Sequence, residues 1–524
     1  VSRGESPDRP GWILLAVVLG SAVVFLDGTL VNVALRPIGD DLPSSVLGRL
    51  EGLTYVTSGY LAVLAALLIL AGALGDTYGR RRAFAIGLVG FGVTSVACGL
   101  APSLELLVIA RLFQGAAGAL LVPGALAIIT ASFSGEARGR SIGIWAAATS
   151  AVTILGPVIG GVLIQAFSWR AAFLVNVPLI AIAAYALRYV PESRDERATG
   201  RFDWIGAIVV AIAVGGLAFG AIRGQQAAWS DPVAWGALIV GAIALLAFPF
   251  LMTRRQDPLV PVGLFRSRVF STVNLTTFLV YGALYMTLAY LALYLQGTLG
   301  YSPLAAGLAS VVTAILLTVL STPMGRLAGR SGARWFLVLG PLVMAAGLLW
   351  LTRIPADSAS WPADVADPAS LIPPTSFLVD VLPAMLVFGV GLSVLVAPLT
   401  TELMGSVPTR NAGLASAINN SISRVGAPLV GAALFIVVNA TYYAALGSQV
   451  PGLDVSDPEV RAQLQPFAQP SSSVPSDVAM AAQDASTRAF HLSMFVSVSL
   501  LAGGAVVSWY GLRPRPGDGE RSST

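Results

Sequence analysis

Apolar residues in this chain come in long blocks, some interrupted by Gly or Pro, and polar residues collect in the stretches between them. A helix that crosses a bilayer needs about 20 mostly apolar residues. Fourteen blocks reach that length, near 12–35, 53–74, 83–101, 104–131, 142–167, 172–190, 204–222, 233–252, 270–296, 303–324, 335–352, 377–401, 412–438 and 491–511. The pattern predicts an all-α integral membrane protein with 14 transmembrane helices. The first block follows Arg3 and Arg9 as a secretory leader would. It is too long for one, and no small-residue cleavage site follows it, so it reads as a permanent first helix. An even number of spans puts both ends on one side. Alternate loops, with the tails, hold 22 of the 31 arginines; the other set holds 7, and 2 (Arg111 and Arg424) lie inside spans. Arginine excess marks the cytoplasmic face. The expectation is a multi-pass protein of the cell (plasma) membrane with both termini cytoplasmic.

Composition agrees with that class and removes several others. The 524 residues are 56% hydrophobic and 11% charged, with a mean hydropathy of +0.78, values of a membrane protein. Cys98 and His491 are the only residues of their types, so neither an intrachain disulfide nor a Cys/His metal site is expected. All basic residues are arginine. Without lysine there is no Walker A loop and no Schiff-base chemistry. No cofactor is expected. The isoelectric point near 9.3 would suit nucleic acid, but the loop bias of the arginines explains it as topology, so no nucleic-acid partner is expected.

Asp27 is the one carboxylate well inside an apolar block. An ionised Asp at a helix centre costs roughly 2.5–3.5 kcal/mol on insertion scales. A lone acid kept there is a functional candidate, and uptake and release of a proton is the simplest function. It lies roughly 12 Å from the far end of its helix, and Arg111 roughly 10 Å from the same face on the fourth span, at 1.5 Å per residue. Equal depth makes them a candidate pair. The alternatives are a static ion pair, or an arginine bonded to backbone carbonyls.

The chain also repeats itself. Gly72, Leu74, Gly79 and Arg81 match Gly325, Leu327, Gly332 and Arg334 at a constant offset of 253, and Pro157-Val-Ile-Gly160 echoes Pro428-Leu-Val-Gly431. This predicts two six-helix pseudo-symmetric bundles plus two extra helices between them. The division runs as a tail (1–11), an N-terminal half (12–190), an insert (191–269), a C-terminal half (270–511) and a tail (512–524). Paired halves around a midplane site are the layout of a secondary transporter. Two long loops, 353–376 and 440–490, are rich in turn formers and are expected to be partly disordered, with a short amphipathic helix possible within 476–490.

Five segments together resemble the major facilitator superfamily, in its fourteen-span drug:proton antiporter branch. They are Leu26-Asp-Gly-Thr-Leu-Val-Asn-Val-Ala-Leu35, Gly72-Ala-Leu-Gly-Asp-Thr-Tyr-Gly-Arg-Arg-Arg82, Arg111-Leu-Phe-Gln-Gly115, Gly156-Pro-Val-Ile-Gly-Gly161 and Trp169-Arg-Ala-Ala-Phe-Leu-Val-Asn-Val-Pro178. The resemblance implies alternating access and proton-coupled export of lipophilic compounds. It implies that Asp27 and Arg111 carry proton coupling, and that Gly72, Asp76, Gly79, Arg80 and Arg81 form a gating loop. In it Asp76 would sit at the N-terminus of the thirteenth helix, favoured by the helix dipole. Gly156, Pro157, Gly160 and Gly161 would form an antiporter motif that seals tightly against the other half, although ordinary close packing explains the glycines equally well.

Gln114, one turn from Arg111, and the stripe Asn274, Phe278, Tyr281 and Tyr285 are candidates for the substrate cavity, with packing as the competing reading. No second acid lies deep in the membrane, so the expected substrate is small and lipophilic, neutral, zwitterionic or monocationic. The partners are then the lipid bilayer, protons and that substrate, with the protein a monomer. Export of an endogenous metabolite, amino acid or lipid is the alternative. A non-transporting sensor or an enzyme is remote, because no catalytic Cys/His/Lys cluster exists.

Overall fold

The computed structural model describes residues 9–44, 49–194, 202–226, 229–364, 367–470 and 474–513. Apolar blocks without internal polar partners must bond their own backbone in lipid, and the described residues form no strand longer than an isolated bridge. The long helices are α1 (Pro10–Asp41), α2 (Arg49–Tyr78), α3 (Arg80–Gly99), α4 (Leu104–Ser132), α5 (Gly135–Ala166), α6 (Asn176–Ala186, entered by a turn at Ala171–Leu174) and α7 (Trp204–Gln226). They continue with α8 (Pro232–Thr253), α9 (Arg268–Leu293), α10 (Pro303–Ser331), α11 (Arg334–Leu351), α12 (Leu382–Gly405), α13 (Ala412–Gln449) and α14 (Ser476–Gly511). Among the described residues, 13 helical segments are long and apolar enough to cross a membrane. The 32-residue α5 stands in series between two of them as the remaining long helix.

Packing repeats between the halves. α1 packs on α5 as α9 packs on α13, and α2 and α3 pack on α4 as α10 and α11 pack on α12. The halves meet through the equivalent contacts α2–α13 and α10–α5. The insert is not a free linker. α7 packs on both α2 and α13, and Gln225 donates to the Pro428 carbonyl (2.9 Å); α8 packs on α7. The face where the chain enters α1 and leaves α14 is called the terminal face below.

The long loops differ from expectation. α13 runs on to Gln449 and α14 starts at Ser476, so residues 476–490 are the first turns of a 36-residue helix, not a separate segment. Hydropathy marks where lipid ends, whereas a helix ends where its hydrogen-bond ladder ends. Here the protruding turns hold each other: Gln449 Nε2 donates to Asp484 at 2.6 Å, and Arg488 pairs with the same carboxylate at 2.8 Å. The stretch 353–376 is pinned by Trp361, which packs on Phe377 (4.7 Å) and donates to the Ser370 carbonyl (2.9 Å). Residues 365–366 and 471–473 of these loops lie outside the described residues.

Candidate functional site

Asp27 points from α1 into the N-terminal half and is fully buried, as is Arg111 on α4. The two form an ion pair. Asp27 also accepts from Gln114 Nε2 (3.2 Å) and from Asn176 Nδ2 (3.2 Å), the first residue of α6. Ser95 on α3 accepts from both amides, at 2.8 and 3.3 Å. Arg111 spends its other donors on the Val56 carbonyl (2.9 Å) and Gln114 Oε1 (2.7 Å), and its guanidinium lies 4.0 Å from the centroid of the Tyr60 ring. Buried charges persist only when paired and hydrogen-bonded, and this carboxylate has three side-chain donors. One buried acceptor nearby, Asn176 Oδ1, has no donor.

Beside this cluster two adjoining cavities, about 220 and 460 Å³, lie between the halves. They share Phe25, Thr153, Tyr285 and Arg424 as wall residues. Tyr60 lines the larger one, so its ring separates the Asp27–Arg111 pair from the cavity. Of the residues expected to line a cavity, Tyr281 and Tyr285 do. Gln114, Asn274 and Phe278 line neither cavity. Gln114 faces α1 and α3. Asn274 accepts from Asn419 (3.2 Å) and donates to the Phe270 carbonyl (2.9 Å), and Phe278 packs against Gly426 on α13. The stripe on α9 is one face by spacing, but α13 packs against Asn274 and Phe278 while Tyr281 and Tyr285 reach the cavity.

At the terminal face the repeated segments grip the opposite half. Asp76 accepts from the backbone N–H groups of Gly413 (3.2 Å) and Leu414 (2.8 Å), at the start of α13, and from Arg80 Nε (2.9 Å). Arg80 also donates to the Thr409 carbonyl. A Cβ on Gly72 would lie 2.5 Å from the Gly413 carbonyl oxygen, so only glycine permits this approach. Gly79 has φ +120°, and Glu192 folds over it to accept from the N–H groups of Arg81 (3.0 Å) and Arg82 (3.2 Å) at the start of α3. In the second half Gly325 lies as close to Gly139 on α5 (2.8 Å from a built Cβ to its carbonyl), and Gly332 has φ +80°. There Gly329 stands where the repeat has Asp76, and the acid comes from the other side: Glu136 accepts from Arg330 at 2.9 Å.

Unlike Gly139, the later glycines of α5, at 156, 160 and 161, do not face the other half. Built Cβ atoms on Gly156 and Gly160 would strike Thr29 and Leu30 of α1, directly after Asp27, while Gly161 faces nothing within 4 Å. The side chain of Pro157 lies outside the described residues. The seal expected between halves is therefore, at these glycines, a close helix pair within one half. The Trp169–Pro178 segment likewise ties elements of the N-terminal half together. Trp169 Nε1 donates to Asp41 at the end of α1 (2.9 Å), Arg170 pairs with that carboxylate, and both hold its pKa below the ordinary carboxylate range.

Sequence reasoning placed Asp27 and Arg111 at one depth but missed Ser95, Asn176 and Tyr60. The available signal was that polar side chains inside spans need partners; Asn176 stood in plain sight within the Trp169–Pro178 segment.

Two repeated helical halves, tied together at one face and enclosing cavities between them, are the layout of a secondary transporter. The model of the Major Facilitator Superfamily matches residues 17–259 and 273–366, and the chain belongs to that family. It is 33% identical to the multidrug resistance protein Stp of Mycobacterium tuberculosis over 84% of this chain and 78% of that one. It is also 33% identical to the multidrug efflux pump LfrA of Mycolicibacterium smegmatis over 84% and 83%. Among solved structures, the proton:xylose symporter XylE of E. coli has the same fold, with a TM-score of 0.59 at 15% identity, covering 97% of this chain and 96% of that one.

Proposed function

We propose that the protein exports small lipophilic, drug-like compounds across the plasma membrane in exchange for protons. Its relatives carry multidrug resistance and efflux in their names, and the cavity wall is aromatic and apolar with scattered hydroxyl and amide groups. The observation that carries proton coupling is the burial of Asp27, ion-paired, one tyrosine ring away from the cavity. A nearby cation favours the ionised acid and burial the neutral one. When the halves rock, a movement of Arg111 away from Asp27 would admit a proton. Rotation of the Asn176 amide would then offer its unused Oδ1 to the new acid O–H. The termini are assigned to the cytoplasm, so the grips at the terminal face close the inner side and the described state faces outward. Asp76 and Glu136 would release as that face opens.

Liposomes containing the purified protein, with an imposed pH gradient and a panel of lipophilic compounds, test this reading. Wild type should accumulate substrate against its gradient and lose that ability when a protonophore is added. Asp27→Asn should bind substrate yet show no pH-driven accumulation. Unchanged accumulation by Asp27→Asn would end the coupling scheme.

A further inference from the structure

Arg424 has no purpose legible in the sequence, and its surroundings supply one. It is the thirteenth residue of α13 and part of the wall of both cavities. Every other side chain lining either cavity is uncharged. Among the described residues no carboxylate pairs with Arg424, and its guanidinium donates no hydrogen bond. Its guanidinium lies over the Phe25 ring, 5.8 Å from the ring centroid. Asp27 cannot neutralise it, because Asp27 already accepts from Arg111, Gln114 and Asn176 behind Tyr60.

A cation in a low-dielectric cavity is expensive unless something pairs with it. The walls here are apolar and aromatic, so the field of the guanidinium is focused into the cavity rather than dispersed. Arginine presents two parallel N–H donors that match a carboxylate, sulfonate or phosphate edge. A second positive charge placed in the same space would meet like-charge repulsion and find no ionised acid exposed to it. Trp145 and Tyr281, with Tyr285, supply flat faces around the smaller cavity, and Asn419, Asn420 and Ser423 supply neutral polar groups on the α13 side.

We infer that Arg424 is an anion subsite, and that the substrates of this transporter are lipophilic organic anions: flat, largely apolar bodies carrying one ionised acid group. This rests on the export reading above and narrows it. It also departs from the neutral, zwitterionic or monocationic substrate expected from the sequence, because the one deep acid, Asp27, is already paired with Arg111. With one proton entering per anion leaving, charge moves in the direction that an inside-negative membrane potential favours, so both components of the proton gradient drive export.

A matched series of pyrene probes tests the subsite: pyrenebutyrate, its uncharged amide, and pyrenebutyltrimethylammonium. Binding to the purified full-length protein in detergent is read by fluorescence polarisation, which does not depend on transport. Pyrenebutyrate should bind about tenfold more tightly than the ammonium probe, as one well-placed charged pair implies. Arg424→Gln should weaken pyrenebutyrate about tenfold and move the amide by less than about twofold, while Arg424→Lys recovers part of the loss. Gel-filtration profiles and unfolding temperatures matching wild type show that the variants are folded. Equal or tighter binding of the ammonium probe, no binding of pyrenebutyrate, or an unchanged pyrenebutyrate affinity in Arg424→Gln overturns the inference. The export reading fails by a separate result: no pH-driven movement of any of the three probes in liposomes.

Discussion

The two halves share a backbone plan and differ in charge. Within the N-terminal half, α1 and α4 bury Asp27 against Arg111 and surround them with Gln114, Ser95 and Asn176. In the C-terminal half, α9, the counterpart of α1, has no charged side chain beyond its first residue, and it is tied to α13 by Asn419, which donates to Asn274 (3.2 Å) and Thr277 (2.7 Å). An amide–hydroxyl cluster holds two helices together at any pH. A carboxylate–guanidinium cluster holds them only while the acid is ionised. Under the proposed exchange, this difference gives proton chemistry to one half and leaves the other to supply Arg424 and move as a body.

The sharpest way to break that comparison is to neutralise the charged cluster. Asp27→Asn should abolish pH-driven transport, whereas Asn419→Ala should lower its rate and keep its pH dependence; initial rates in liposomes across a pH series separate the two. Stability should divide the halves as well. Arg111→Leu leaves the Asp27 carboxylate buried without its cation, a loss of about 3–5 kcal/mol, while Asn419→Leu removes neutral hydrogen bonds at about 1–3 kcal/mol. Thermal unfolding in detergent reads both, and adding Asp27→Asn to Arg111→Leu should recover most of the larger loss. No recovery would mean that the arginine acts through packing on Tyr60 and not through charge.

The two contacts between the halves at the terminal face differ in the same sense. Asp76 is buried against the start of α13, and removing it as Asp76→Ala orphans two backbone N–H groups at about 1–3 kcal/mol. Glu136 and Arg330 are solvent-exposed, and such pairs contribute only about 0–1 kcal/mol. Distances between spin labels on the terminal-face ends of α2 and α13 should therefore shift toward an open population in Asp76→Ala and barely move in Glu136→Gln. Equal shifts would make the grips equivalent despite their different burial.

The smallest effect is expected at Asp41. Its carboxyl titrates below the ordinary 3.8 because Arg170 and Trp169 hydrogen-bond the ionised form. A value depressed by folding adds stability above the unfolded value and loses it as pH falls through the folded one. The unfolding temperature of wild type should thus exceed that of Asp41→Asn slightly at neutral pH, and the difference should shrink as pH falls below about 4 and vanish only below the folded-state value.

What could be read in advance followed depth and spacing along single helices. The rise per residue put Asp27 and Arg111 at one level, and the repeat at residues 72 and 325 marked the two related halves. What could not be read depended on how helices rotate about their axes. Gln114 turned toward the acid instead of the cavity, and Asn274 and Phe278 turned toward α13. Gly156 and Gly160 turned toward α1 instead of the opposite half. The first turns of α14 escaped because their polar residues look like loop when only hydropathy is counted.

The account stands on Asp27 releasing its proton in response to substrate. The most direct measurement mixes purified protein with a transported compound in weakly buffered solution containing a pH-indicator dye, near the pH at which transport is half-maximal. Wild type should release protons in a stoichiometric burst and Asp27→Asn none, although it still binds. A burst of equal size from Asp27→Asn would contradict the account and place the coupling proton elsewhere in the molecule.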